Sequence, residues 1–177
     1  MPAFCILSTS PCGTLDGLVI ETPRGISADQ LTCGVGIWAG GLRLESCDIS
    51  APKESGGRAL IICGATTKPF ILQCRLNGGE RTVLWSLGAL GRLEGCQISG
   101  ARVAGLALIS PSTAPSVANN TFRDSRWGIV ISADMDAAWA PGEGNTFESM
   151  GELGIKDWRG GGGGGEGGGE RVQAGCH

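Results

Sequence analysis

The sequence predicts an all-β chain, a single-stranded right-handed parallel β-helix of about six coils. Three observations predict it. Two interleaved motif series share one period, glycine is abundant enough for a tight turn in every coil, and short apolar runs are separated by Gly, Ser, Asn and Pro.

The first series reads small-apolar-apolar. Its members are Gly36-Ile37-Trp38, Ala59-Leu60-Ile61, Val83-Leu84-Trp85, Gly105-Leu106-Ala107, Gly128-Ile129-Val130 and Gly154-Ile155-Lys156, with Gly17-Leu18-Val19 as an earlier, closer-spaced one. Central residues from Ile37 onward recur every 22 to 26 positions. The second series lies out of phase with it: Leu44-Glu45-Ser46-Cys47-Asp48-Ile49-Ser50, Ile71-Leu72-Gln73-Cys74-Arg75-Leu76 and Leu93-Glu94-Gly95-Cys96-Gln97-Ile98-Ser99. It continues through Val117-Ala118-Asn119-Asn120-Thr121-Phe122 and Asn145-Thr146-Phe147.

This period narrows the architecture. Leucine-rich repeats have the length but need an L-x-x-L-x-L frame that the chain lacks. Helical repeats need longer units, and each interior glycine would cost a helix about 1 kcal/mol. Stacked coils about 4.8 Å apart instead pair each backbone with the next and bury a continuous core. Cys47, Cys74, Cys96, Asn120 and Asn145 then form an internal ladder at a bend, Cys as a small apolar filler and Asn as a partner for turn backbone.

Three segments follow: an irregular or capping stretch at 1–13, the β-helix at 14–158, and a Gly-rich tail at 159–177. Nine of the 32 glycines lie in its run from Gly160 to Gly169, and the tail cannot bury apolar area and reads as linker or disordered end.

Composition removes several classes of function. A net charge of -3 supplies no basic field for nucleic acid or anionic lipid. No stretch reaches the roughly 18 to 20 apolar residues that span a bilayer. The N-terminus lacks the basic region of a signal peptide, so an intracellular, cytoplasmic location is expected. The eight cysteines read as reduced core thiols, because stacked ladder positions hold their Cβ vectors parallel. With no C-x-x-C pair and one histidine, His177, no metal site or cofactor is expected, and Ser-His-Asp and Cys-His schemes have no base. Asn119-Asn120-Thr121 matches a glycosylation sequon, with Asn119 pointing outward.

At G-x-G-I-W, L-E-S-C-D-I-S, L-E-G-C-Q-I-S, V-A-N-N-T-F and W-G-I-V-I, spread over about residues 17–158, the chain resembles the right-handed β-helix family with the pectin-lyase-like fold. That resemblance implies the fold. It spans polysaccharide lyases and hydrolases, carbohydrate-binding modules and the substrate-recognition region of certain F-box proteins. The clustered aspartates, Gly-His-Gly and Arg-x-Lys segments of the hydrolases are missing, as is a lyase-like set of calcium ligands.

Two candidate sites remain. If Ile37, Leu60 and Leu84 face inward, alternation sends Trp38, Ile61 and Trp85 outward as an apolar stripe suited to a protein partner. The loop 132–141 carries Asp134, Asp136 and Trp139, a set that would stack and hydrogen-bond a sugar. The expectation is a non-catalytic recognition or scaffold module whose partner is a protein rather than a polysaccharide, nucleic acid or membrane. The alternative is a carbohydrate binder or a lyase- or hydrolase-like protein.

Overall fold

The computed structural model describes residues 3–22, 32–53 and 56–159; the tail from 160 onward lies outside the described residues. All regular structure among them is β, wound as a parallel solenoid of about six turns. Coil one comprises β1 (Ala3–Ser8), β2 (Cys12–Asp16) and β3 (Val19–Glu21). Coil two is β4 (Thr32–Ile37), β5 (Gly41–Glu45) and β6 (Asp48–Ala51), and coil three is β7 (Arg58–Cys63), β8 (Phe70–Leu72) and β9 (Arg75–Gly78). Coil four is β10 (Arg81–Ser86), β11 (Arg92–Glu94) and β12 (Gln97–Ser99); coil five is β13 (Ala104–Leu108), β14 (Ser116–Ala118) and β15 (Thr121–Arg123). The last coil has β16 (Trp127–Ile131) and β17 (Thr146–Glu148), and β18 (Leu153–Asp157) begins another.

Like strands stack into three parallel sheets. The first sheet runs β1-β4-β7-β10-β13-β16-β18, the second β2-β5-β8-β11-β14, and the third β3-β6-β9-β12-β15-β17. Residues 1–13, expected to be an irregular cap, contain β1 and the start of β2. Among the described residues the solenoid already includes Ala3, because β1 pairs in register with β4 from Ala3↔Thr32 to Ser8↔Ile37.

Side-chain alternation along these strands makes one core. Leu44, Ile71, Leu93 and Val117 of the second sheet face Ile49, Leu76, Ile98 and Phe122 of the third. The first sheet contributes Val35, Leu60, Val83, Leu106 and Ile129, and beside them Ile37, Ile62, Trp85, Leu108 and Ile131. A small residue precedes the first of these rows: Gly34, Ala59, Thr82, Gly105, Gly128 and Gly154. Third-sheet side chains press on it, and a Cβ on Gly128 would lie 2.4 Å from the ring of Phe147. That crowding is why each repeat opens on a small side chain.

The bend between the second and third sheets uses one left-handed residue per coil: Gly17, Ser46, Gln73, Gly95 and Asn119, with φ between 52° and 63°. Directly after it comes the expected ladder. Cys47, Cys74, Cys96 and Asn120 are buried. Asn120 accepts a hydrogen bond from Cys96 N at 3.0 Å and donates to Leu93 O at 3.0 Å. Asn145 accepts from Asn120 N at 3.1 Å and donates to Val117 O at 2.9 Å. Asn119 of the sequon is exposed.

Candidate functional site

The three outer faces differ. On the second sheet Arg43, Phe70 and Arg92 share one outward row, and Glu45, Leu72 and Glu94 the next, with Arg43–Glu45 and Arg92–Glu94 ion pairs at 2.7 and 2.8 Å. The third sheet shows Asp48, Arg75, Gln97 and Thr121 outward. Both are solvated faces. The first sheet is different: its outward row reads Leu7, Gly36, Ile61, Leu84, Ala107, Val130 and Lys156.

Two of the expected stripe residues are corrected here. Trp85 points inward, fully buried, and its indole N–H donates to Leu90 O at 3.1 Å. The pairings explain the error: Val83, not Leu84, is the partner of Leu60, and Gly36, not Trp38, is the partner of Ile61. A slip of one residue exchanges the faces, so Leu84 turns outward where Trp85 was expected. Ile61 does face outward but is 1% exposed, and Trp38 is half-buried against the same apolar cluster. The centre of this face is thus shut off from solvent.

Towards the last coils the face becomes a cleft lined by Arg81, Val103, Ala107, Ile109, Trp127, Val130 and Trp158. Its enclosed volume, about 20 Å³, has room for about one water and for no small-molecule ligand. The Trp127 indole donates to Glu152 at 3.0 Å, and the Arg126 guanidinium lies 4.3 Å from its ring centre. The Trp158 indole nitrogen is buried and finds no acceptor among the described residues. Neither Trp127 nor Trp158 was singled out in the sequence; their tie to one cleft is a matter of stacking.

The second site is also corrected. Trp139 is not a stacking platform: it is 8% exposed, packs into the core and donates from Nε1 to Pro115 O at 2.9 Å. Its loop runs from β16 to β17 where the other complete coils place a second-sheet strand, so Met135 and Trp139 fill the space that strand would have closed. Asp134 and Asp136 are exposed, and Asp136 Oδ1 accepts from Ala138 N at 2.9 Å as a turn cap. Arg159 holds the loop from outside, donating to Asp136 O and Trp139 O at 2.6 Å while paired with Asp157 at 2.6 Å.

Hydrogen bonding from Arg43, Arg126 and Arg159 holds Glu45, Glu152 and Asp157 below the usual carboxylate range, opposite to what a general acid needs. Burial pushes the Cys33 and Cys47 thiols up, and the neighbouring Cys96 thiol together with burial does so for Cys74. These are not reactive thiols. Among the described residues no three His, Cys, Asp or Glu side chains gather in a metal-binding group. No family model, curated protein or solved structure matches the chain.

Proposed function

We propose that the chain is a non-catalytic recognition scaffold that holds a protein partner at the rim of the first sheet's outer face. One observation carries this reading. That face alone is apolar, and it opens at the fourth to sixth coils into the cleft of Val103, Trp127, Val130 and Trp158, rimmed by Arg81, Arg126 and Glu152. Trp127 and Val130 are themselves buried, so the contact falls to half-buried Val103 and Trp158 and to the charged rim around them, an apolar-and-charged mix usual in protein-binding patches. The resemblance to pectin-lyase-like β-helices, and among them to the recognition regions of F-box proteins, supports substrate recognition inside a cell as its concrete form. The sugar-binding alternative loses its stacking platform with Trp139 in the core.

The test compares partner capture by the full chain, in extracts of its own cells, with capture by Val103→Asp and by Arg75→Glu on the third sheet. The proposal expects partners to be lost in the first variant and kept in the second. Equal capture by both, or glycan-array binding abolished by Asp134→Asn, overturns it.

A further inference from the structure

The outer face of the second sheet carries one pattern in two rows. Arg43, Phe70 and Arg92 stack in the first row, and Glu45, Leu72 and Glu94 in the second. Coils two and four thus each present an Arg beside a Glu, and coil three between them presents Phe70 beside Leu72. Phe70 is 44% exposed. A lone exposed ring is ordinary on a protein surface. What sets this one apart is the matched ion pair above it and the matched ion pair below.

Those ion pairs keep hydrogen-bonding capacity in reserve. Arg43 meets Glu45 Oε2 through Nε at 2.7 Å, and Arg92 meets Glu94 Oε2 through Nε at 2.8 Å. A guanidinium has five N–H donors in one plane, and a carboxylate has two acceptor oxygens. Among the described residues the terminal nitrogens of both arginines and Oε1 of both glutamates make no hydrogen bond. All four side chains are between 31% and 51% exposed, so these atoms are open to a partner.

The pattern is self-complementary in one orientation. A half-turn of a second copy about a line running up the solenoid between the two rows brings the faces together with coils at equal height and rows exchanged. Arg43 and Arg92 then lie against the partner's Glu45 and Glu94, and Phe70 lies against the partner's Leu72. The flanking coils agree, because Thr14 meets the partner's Asp16 and Ser116 meets the partner's Ala118. A half-turn about the strand direction sets Arg43 against Arg92 and Glu45 against Glu94, and like charges oppose it.

We infer that two copies of this chain pair through the second sheet, side by side with their solenoid axes parallel. Each arginine keeps its own glutamate on Nε and donates from its terminal nitrogens to the partner's. The contact uses the same patch on both copies, so it closes at the dimer. It is also small: two rows of five residues stand against about 20 to 30 residues a side in a standard interface. The dimer is therefore weak, with a dissociation constant of about 0.1 to 1 mM.

Sedimentation equilibrium of the full chain across that range measures it, in reductant because Cys5 and Cys12 are exposed thiols. A monomer–dimer equilibrium is expected, weakening as salt screens the charges. Arg43→Glu/Arg92→Glu makes the face wholly acidic, and Glu45→Lys/Glu94→Lys makes it wholly basic. Each should stay monomeric alone, while their equal mixture should form a heterodimer about tenfold tighter than the native pair, because every facing contact is then between opposite charges. Phe70→Ser should weaken the native dimer, and Arg75→Glu on the third sheet should leave it unchanged. Circular dichroism checks that each variant retains its strands. A native chain that is monomeric throughout overturns the proposal, as does dimerisation that survives either charge reversal or a mixture that stays monomeric. Val103→Asp, the variant that tests partner capture at the first sheet, should dimerise as the native chain does, so the two readings fail separately.

Discussion

The bend between the second and third sheets is built with two chemistries. In coils two to four a thiol occupies the ladder, Cys47, Cys74 and Cys96; in the last two coils a carboxamide does, Asn120 and Asn145. The thiols reach carbonyl oxygens at long range, Cys47 to Leu15 O and Glu45 O at 3.3 Å and Cys96 to Ile71 O at 3.5 Å. A thiol is a weak donor and a weak acceptor, so packing holds that half of the bend. The carboxamides accept backbone N–H from the preceding coil, donate to its carbonyls, and join each other at 3.1 Å. The switch comes one coil before the second sheet ends, because Asn120 still belongs to a coil with all three strands. In the last coil the second-sheet strand is gone, and Asn145 Nδ2, donating to Val117 O and to Gly142 O at 2.7 Å, supplies bonds the strand would have made.

Asn120→Ala should break this contrast most. It leaves the buried Cys96 N–H without its partner and removes one donor from the Leu93 carbonyl, at about 1 to 3 kcal/mol for an orphaned buried group. A loss of about 3 kcal/mol in urea denaturation is expected; a loss near zero would mean that packing holds both halves alike. Asn145→Ala comes next, at about 2 kcal/mol. Its effect should be local, appearing as faster hydrogen exchange through 132–145 with coils two to four unchanged. Uniform loss of protection would remove the distinction between the halves.

The thiol half has its own signature. Burial raises Cys33 and Cys47, and the adjacent Cys96 thiol with burial raises Cys74. A folded state that disfavours the thiolate keeps its full stability below the unfolded thiol's ordinary value of about 8.5 and loses it as pH rises beyond that. Denaturation between neutral pH and about 10 should therefore show declining stability, with a shallower slope in Cys47→Ala/Cys74→Ala. In the folded chain, alkylation should modify Cys5 and Cys12 and spare the ladder thiols Cys47, Cys74 and Cys96. The smallest effect is expected for Cys96→Asn, which extends the carboxamide ladder by one coil and should change stability by about 1 kcal/mol or less. A large loss would show that the thiol half has no room for the amide.

Much of this was legible in the sequence because the repeat stacks like on like. Cys47, Cys74, Cys96, Asn120 and Asn145 could be aligned without coordinates, and so could the charged outer face of Arg43, Glu45, Arg92 and Glu94. The candidate site was less legible. Val83-Leu84-Trp85 matches the small-apolar-apolar pattern as well as Thr82-Val83-Leu84 does, and hydropathy cannot rank two readings that differ by one residue. The cleft residues Trp127 and Trp158 lie 31 positions apart and belong to different motif contexts, so no spacing connected them.

By itself the sequence determined the period, the stacking of coils and the ladder, since a repeated residue in a solenoid meets its own equivalent above and below. Only the tertiary structure decided which tryptophans face outward and which are core. That choice depends on register, set by how Gly105 and Gly128 admit Phe122 and Phe147, and on how the 132–141 loop folds Trp139 over Pro115 in place of a strand. Both are contacts between residues about 20 positions apart, which no local pattern encodes.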